Sequence, residues 1–438
     1  MGGGRRRALG VQVELGQRRI SLGSVLRVRS FLALSIGQTI SQFGDRLNHM
    51  ALIALVSDPT YGVPNSTFQF SKLMIFVTLP GLIFGPVSGV FVDRWNKKKV
   101  LFFCDLMRGA LVLLIPFIPF SHVVFAVVFL VFSAGLFYSP AKNALVPSVI
   151  AKRKILMAGS VTTFSARAST VVGAVGGGII VGYFGWRTSF YLDSLSYVFS
   201  AMMLLLVTYR PALRPEGEIE PFVPPHQQGG FQGLLRESEK LFVEVWEGIK
   251  FAFSHRPTVF VFSSAIAMAL AGGSLYVLVI VLVKETLGKG TEGLGTLIGS
   301  LGVGMILGSV ITGRFGHTTT QRRIILCGLA MFGILIVVFA RVKSLVWMNF
   351  LAGISGISLS PVLICLDTLL QRSVPVQFRG RVFSARDAIL NGGFLLSSVL
   401  VGLLAENLDK AKTLTFVGIA LLLVVATIRQ TSRGLAEE

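Results

Sequence analysis

Six polar side chains interrupt an otherwise apolar stretch near the start of the chain: Gln38, Ser41, Gln42, Asp45, Asn48 and His49. On a helix, at about 100° per residue, they share one face, with Arg46 at its edge. The stretch, 31–56, is long enough to cross a bilayer. A carboxylate at mid-bilayer costs roughly 2.5–3.5 kcal/mol on insertion scales, so such a group faces a cavity or a partner. Two chemistries suit the pattern. Asp45 can take and release a proton while Gln38, Gln42 and Asn48 orient a solute. Alternatively Asp45 and His49, stacked four residues apart, can be two ligands of a divalent transition metal. A third reading makes Asp45, Arg46 and His49 a structural cluster.

The elements that hold this face are membrane elements. Of 438 residues, 53% are hydrophobic and 14% charged, with mean hydropathy +0.73. A water-soluble domain cannot bury that much apolar surface, so the composition is that of an all-α, multi-pass membrane protein. The net charge of +20 does not point to nucleic acid, because the basic residues sit in short segments between apolar runs. Cys104, Cys327 and Cys365 lie in or beside apolar segments without metal-ligand spacing, and read as packing residues. Without a Gly-x-x-x-x-Gly-Lys-Ser/Thr sequence, ATP drive is not expected, nor is enzyme chemistry or a cofactor.

Twelve spans are expected, at about 31–56, 71–92, 99–120, 122–140, 158–183, 187–208, 258–283, 294–313, 323–340, 345–366, 382–404 and 412–429. They divide the chain into a basic tail (1–30), a first six-helix bundle (31–208), a linker (209–257), a second six-helix bundle (258–429) and a short tail (430–438). With both termini in the cytosol, the cytosolic segments hold 30 Lys or Arg, the outer segments eight and the spans three. That bias sets the orientation expected for a bacterial-type inner membrane. The first thirty residues hold seven arginines and one acid, Glu14, which reads as a cytosolic tail; a transit peptide shares the composition. In the linker, Leu235, Phe242, Val245, Trp246, Ile249 and Phe253 share a helical face, as on an interfacial helix.

The halves echo each other. Gly85-xxx-Gly89 before Asp93 is matched by Gly304-xxx-Gly308 before Thr312, and Phe164-Ser-Ala-Arg167 recurs as Phe383-Ser-Ala-Arg386, both at an offset of 219 residues. The shared offset places span 2 on span 8 and span 5 on span 11, as in secondary transporters built from repeats.

The run Gly81-xxx-Gly85-xxx-Gly89-xxx-Asp93-Arg94-Trp95-Asn96-Lys97-Lys98-Lys99 puts close-packing glycines ahead of a tight charged loop. It resembles the signature loop of the major facilitator superfamily. Residues 37–45, 139–147, 184–193 and 370–383 are similar to the macrolide-efflux and enterobactin-exporter-like branch. The resemblance implies two bundles rocking about a central cavity, exporting lipophilic or siderophore-like solutes, amphipathic small molecules, against proton entry; a monomer is expected. Two departures stand out: span 5 (Gly173 to Gly178) lacks the proline of many antiporters, and the second signature loop lacks its acid. Gly44-Asp-Arg-xx-His49 also resembles the first helix of ferroportin iron exporters, and lysophospholipid transporters share the superfamily and a Gly-Asp pair.

The resemblance further implies a cytosolic charge latch. Gly85, Gly89, Asp93, Arg94, Lys97, Lys98, Asp105 and Arg108 would stand on one side, with Arg386 and Asp387 opposite. Asp105 and Arg108, three apart on one helix, are expected to pair. Asp193 is expected to pair with Arg187 or line the exit. Arg167 is expected to hold an anionic group or pair with Asp45. Asp367 reads as a solvated edge.

Overall fold

The computed structural model describes residues 22–59, 66–119, 121–208, 250, 255–288, 290–315, 320–375, 378–406 and 408–431. The first 21 residues of the expected tail and nearly all of the expected interfacial helix lie outside them. A short α1 (Leu22–Leu26) leads into α2 (Arg29–Val56), α3 (Thr67–Arg94), α4 (Lys97–Leu114), α5 (Ser121–Val149) and α6 (Ile155–Leu205). There follow α7 (Arg256–Leu287), α8 (Thr291–Phe315), α9 (Gln321–Phe339), α10 (Leu345–Ser373), α11 (Arg379–Leu404) and α12 (Lys410–Thr431). Within each half, short connections make successive helices antiparallel. The face from which α2 starts is termed proximal and the opposite face distal.

Ten of these helices are long and apolar enough to cross a membrane. The helix α2 has the length, 28 residues, but its polar stripe keeps it outside that group. The 51-residue α6 is two arms joined at Gly185, whose φ of 80° and ψ of 162° are not helical. Such a φ is open to glycine because it has no Cβ. Caps set other boundaries: the Gln69 N–H donates to Ser66 Oγ at the start of α3, and the Lys99 N–H to Asn96 Oδ1 at the start of α4.

Packing follows the halves of the sequence. In the first half α2 packs on both arms of α6, α4 on α5 and α6, and α3 on α5. In the second, α10 packs on α8 and α9, α7 on α11 and α12, and α9 on α12. Two pairs carry most of the contact between halves, α6 with α8 and α3 with α11. The offset of 219 residues maps α3 onto α8 and α6 onto α11, so it converts one of these pairs into the other. The two junctions are repeats of a single contact.

Candidate functional site

Glycines decide how the polar stripe is held. A Cβ on Gly44 would meet the side chains of Asp193 and Ser196, and one on Gly37 would lie 3.3 Å from the Ser200 Cα, so the second arm of α6 comes against one side of α2. On the other side, Gly173 and Gly177 of the first arm sit against Arg46, Leu47 and Met50. Backbones this close leave α2 clasped between the arms of α6.

The stripe therefore faces a protein interior more than an open cavity. Gln38, Ser41 and Asn48 are buried. Asp45 keeps 34% of its side chain exposed and pairs with Arg108 of α4, Nη2 to Oδ1 at 2.5 Å. The Tyr197 hydroxyl of α6 donates to the same oxygen, and the Arg108 guanidinium lies over the Tyr197 ring, 4.3 Å from its centroid. A turn away, Asn48 Nδ2 donates to Asp193 Oδ2 at 2.7 Å, while Ser196 Oγ approaches the other Asp193 oxygen at 3.3 Å. His49 leaves the group, its Nε2 3.1 Å from the Tyr276 hydroxyl on α7. α2 thus carries a carboxylate held by an arginine and a phenol and a histidine reaching the other half, and its Asn48 holds a second buried carboxyl that belongs to α6. The arrangement is suited to exchanging protons and counter-charges.

Several sequence expectations need correction. Asp105 and Arg108 do not form the expected hydrogen-bonded pair. Arg108 turns to Asp45, and Asp105 is fully buried with neither oxygen hydrogen-bonded. Asp193 neither pairs with Arg187 nor lines an exit, because it is sealed against Asn48 and Ser196, while Arg187 lies over the Trp186 ring. Arg167 is exposed and takes no part in the Asp45 pair, and Arg46 is also exposed. Gln38 Oε1 and Gln42 Oε1 are buried without a hydrogen-bond partner.

The charge latch is likewise absent from the described contacts. Arg386 donates to Asp387 at 2.8 Å and to Asp367, all within the second half, and Asp367 keeps half of its side chain exposed. Lys98 Nζ instead caps the end of α6, 2.7 Å from the Val207 carbonyl and 3.2 Å from that of Leu205. Gly85 has open space where a Cβ would be. Lys97 has a partner of its own. The side chains of Asp93 and Arg94, and the surroundings of Gly89, lie outside the described residues.

Asp45 and His49, the alternative metal ligands, are engaged by different partners. Among the described residues no three His, Cys, Asp or Glu side chains stand together as a metal-holding group.

Sequence reasoning passed over one acid. Glu406, in the distal turn after α11, lies over the start of α3. Its Oε2 is 2.8 Å from Thr67 Oγ1, 3.1 Å from the Phe68 N–H nitrogen and 3.2 Å from Ser66 Oγ. The Thr67 hydroxyl has one proton to share between Glu406 and the Gly402 carbonyl, 2.9 Å away. Ser71 Oγ adds a bond to the Ser398 carbonyl at 2.6 Å. Burial alone would push the Glu406 carboxyl up. The hydrogen bonds from Thr67, Phe68 and Ser66, with Lys410 nearby, outweigh it and hold the group below the ordinary carboxylate range. A signal was present in Ser-Thr-Phe-Gln at 66–69, a helix start whose free N–H groups favour an anion. Nothing local to that motif shows that the anion stands 340 residues later.

Comparison with known proteins decides the family. The model of the transmembrane secretion effector family, within the major facilitator transporters, matches residues 21–434. The chain belongs to that family. Among its relatives, the uncharacterized MFS-type transporter YfiS of Bacillus subtilis is 24% identical over 93% of this chain and 94% of its own. Macrolide efflux protein A of Streptococcus pyogenes is 22% identical over 86% and 90%. A solved bacterial homologue of the iron transporter ferroportin, in an inward-facing state, superposes with a TM-score of 0.66 over 94% of this chain and all of that one, at 16% identity. That likeness is one of fold. The protein is an integral, multi-pass transporter of small molecules with efflux-type relatives, and not an enzyme.

Proposed function

We propose that this transporter is a proton-coupled exporter of amphipathic small molecules, working by alternating access between two six-helix bundles. In this reading α2 and each arm of α6 count as spans, bringing the total to twelve, and both termini lie in the cytosol. The distal face is then the outside. The distribution of basic residues supports the orientation, and the efflux protein among the relatives supports the direction.

One observation carries the coupling: Asp45, the accessible acid of the stripe, is held by Arg108 and Tyr197 while Asp105 stands unpartnered one turn from Arg108. A proton arriving at Asp45 cancels the charge that holds the guanidinium. Arg108 is then free to turn to Asp105, which releases its own proton as the guanidinium arrives, so one proton is taken up at Asp45, one is given up at Asp105, and the buried positive charge keeps a counter-ion in both states. The exchange moves a proton and changes how α2 is held against α4. A cationic or polar end of the cargo would compete for the Asp45 carboxylate, and so expel the proton. His49, Gln42 and Asn48 supply hydrogen bonds beside it, and the exposed Arg167 is open to an anionic group. A single chain contains every part, consistent with a monomer.

The test uses proteoliposomes with a set pH gradient and a panel of lipophilic cations, siderophores, lysolipids, Fe²⁺ and Co²⁺. The expected result is proton flux driven by an organic amphiphile and lost in Asp45→Asn. Flux that survives the substitution would remove the coupling. Metal flux that disappears in His49→Ala would replace the organic cargo with a divalent cation.

A further inference from the structure

A partly open pocket of about 300 Å³ lies among α7, α8, α9, α10, α11 and α12, with Ile53 of α2 as the single wall residue from the first half among the described residues. Phe332, Phe339, Leu297 and Leu414 typify the wall. Among the described residues, only Tyr276 and Ser355 bring polar side-chain atoms to it, and no charged side chain does. Protein interiors are packed closely enough that voids larger than a water molecule are few. An apolar cavity of about half this volume stays dry and takes up benzene. The void thus has the size of a small ligand pocket and the chemistry of a hydrocarbon solvent.

Its position links it to the polar stripe. Tyr276 lines the cavity with its ring and meets His49 with its hydroxyl, 3.1 Å from Nε2. Ile53 follows His49 by one helical turn on α2. The Phe394 ring, 6.1 Å from that of Tyr276, completes the near wall. The tyrosine is therefore a partition with the charged network of the first half on one side and the cavity on the other.

We propose that this cavity seats the uncharged, apolar end of the transported amphiphile while its polar end lies at His49 and Asp45. The inference rests on the exporter reading above and specifies its cargo. The seated group is an aromatic or branched aliphatic unit of about twelve heavy atoms, scaling from benzene in half the volume. A charge on that end would be buried against hydrocarbon without a partner, so the site rejects it by about a hundredfold or more. Each end of the cargo then touches a different half, so cargo of the right length bridges the two.

The experiment is equilibrium binding to the full-length transporter in nanodiscs at equal pH on both faces. The probes are 1-naphthylamine, which is neutral and of about this size, and 1-naphthalenesulfonate, which has the same rings with a fixed charge. Saturable binding of the neutral probe alone is expected. Ala352→Phe, which fills the void from α10, should weaken that binding at least tenfold while the melting temperature holds or rises. Should the bulky variant misfold, Leu335→Ala enlarges the void and should tighten binding of a naphthylamine carrying an added methyl group. Equal affinity for the sulfonate, or affinities unmoved by both substitutions, would overturn the proposal. No gradient is present, so the result is separable from the flux test. Binding lost in Ala352→Phe with flux surviving Asp45→Asn sinks the coupling and leaves the cavity, and the opposite pair of results sinks the cavity alone.

Discussion

The two helix pairs that join the halves behave oppositely at their two ends. Distally, α3 and α11 are stitched by Ser71 to Ser398, Thr67 to Gly402, and the Glu406 carboxylate over the first turn of α3. The equivalent distal junction, α6 with α8, is a backbone-to-backbone contact at Gly178 and Gly295. Proximally the same helices stand apart. Gly85, Gly159 and Gly313 have open space where a Cβ would project, and Phe164 is 73% exposed. Among the described proximal charges, Arg386 pairs within its own half, on Asp367 and Asp387. The distal closure is thus built from small residues and hydrogen bonds, which re-form without long side chains having to be reordered. The difference describes a molecule sealed distally and parted proximally, which under the proposed orientation is open to the cytosol.

The most direct way to break this asymmetry is Gly295→Leu. A Cβ there would sit 2.6 Å from the Ala174 carbonyl oxygen and 3.0 Å from the Gly178 Cα, so α6 and α8 must separate. Overpacking of this kind costs about 1–3 kcal/mol. Spin labels placed distally on α6 and α8 should move apart, with transport lost and the protein still folded. A distance distribution unchanged from wild type would show that the junction does not hold the closure.

A smaller effect is expected at Glu406. Charge-assisted hydrogen bonds are roughly twice as strong as neutral ones, so Glu406→Gln should weaken the distal closure by up to about tenfold in population. The sign with pH follows from the lowered proton affinity of the carboxyl. Its contribution to closure is full above the ordinary carboxylate value, about 4.3, and is lost as pH falls through the lower value in the closed state. Acidifying the distal side from neutrality to about pH 4 or below should therefore increase distal opening in the wild type. The Gln variant should be flat over that range. Lys410, which is 3.9 Å from Glu285, and Asp409 and Lys72 nearby belong to the same surface, so high salt should blunt the response.

The smallest effect should be on the proximal side, at Lys98→Met. Losing a cation from the last carbonyls of α6 costs about 0.3–1 kcal/mol, read as a slight fall in melting temperature. Transport at saturating cargo should stay near wild type. A large transport defect would return Lys98 to a switching role.

Composition was sufficient for the all-helical membrane class, and the glycine-rich signature with the 219-residue offset was sufficient for the family. Both are properties of the chain read locally, and apolar length and repeated motifs survive any choice of packing. Asp45 was legible for the same reason, since an acid inside an apolar span needs a partner wherever the helix lies. Its partner was not. Arg108 looked committed to Asp105 by helical spacing, yet Gly37 and Gly44 bring α2 so close to α6 that Asp45 falls within reach of α4. Only the crossing of three helices decides that competition. The same holds for Asp193, which looked like an exit residue and is sealed by Asn48, and for Glu406, an unremarkable loop acid in the sequence. The sequence by itself determined which groups must be satisfied inside a membrane. The tertiary structure decided which group satisfies which, because hydrogen bonds are short-ranged and directional, and helix approach, set by glycines far apart in the chain, governs what can meet.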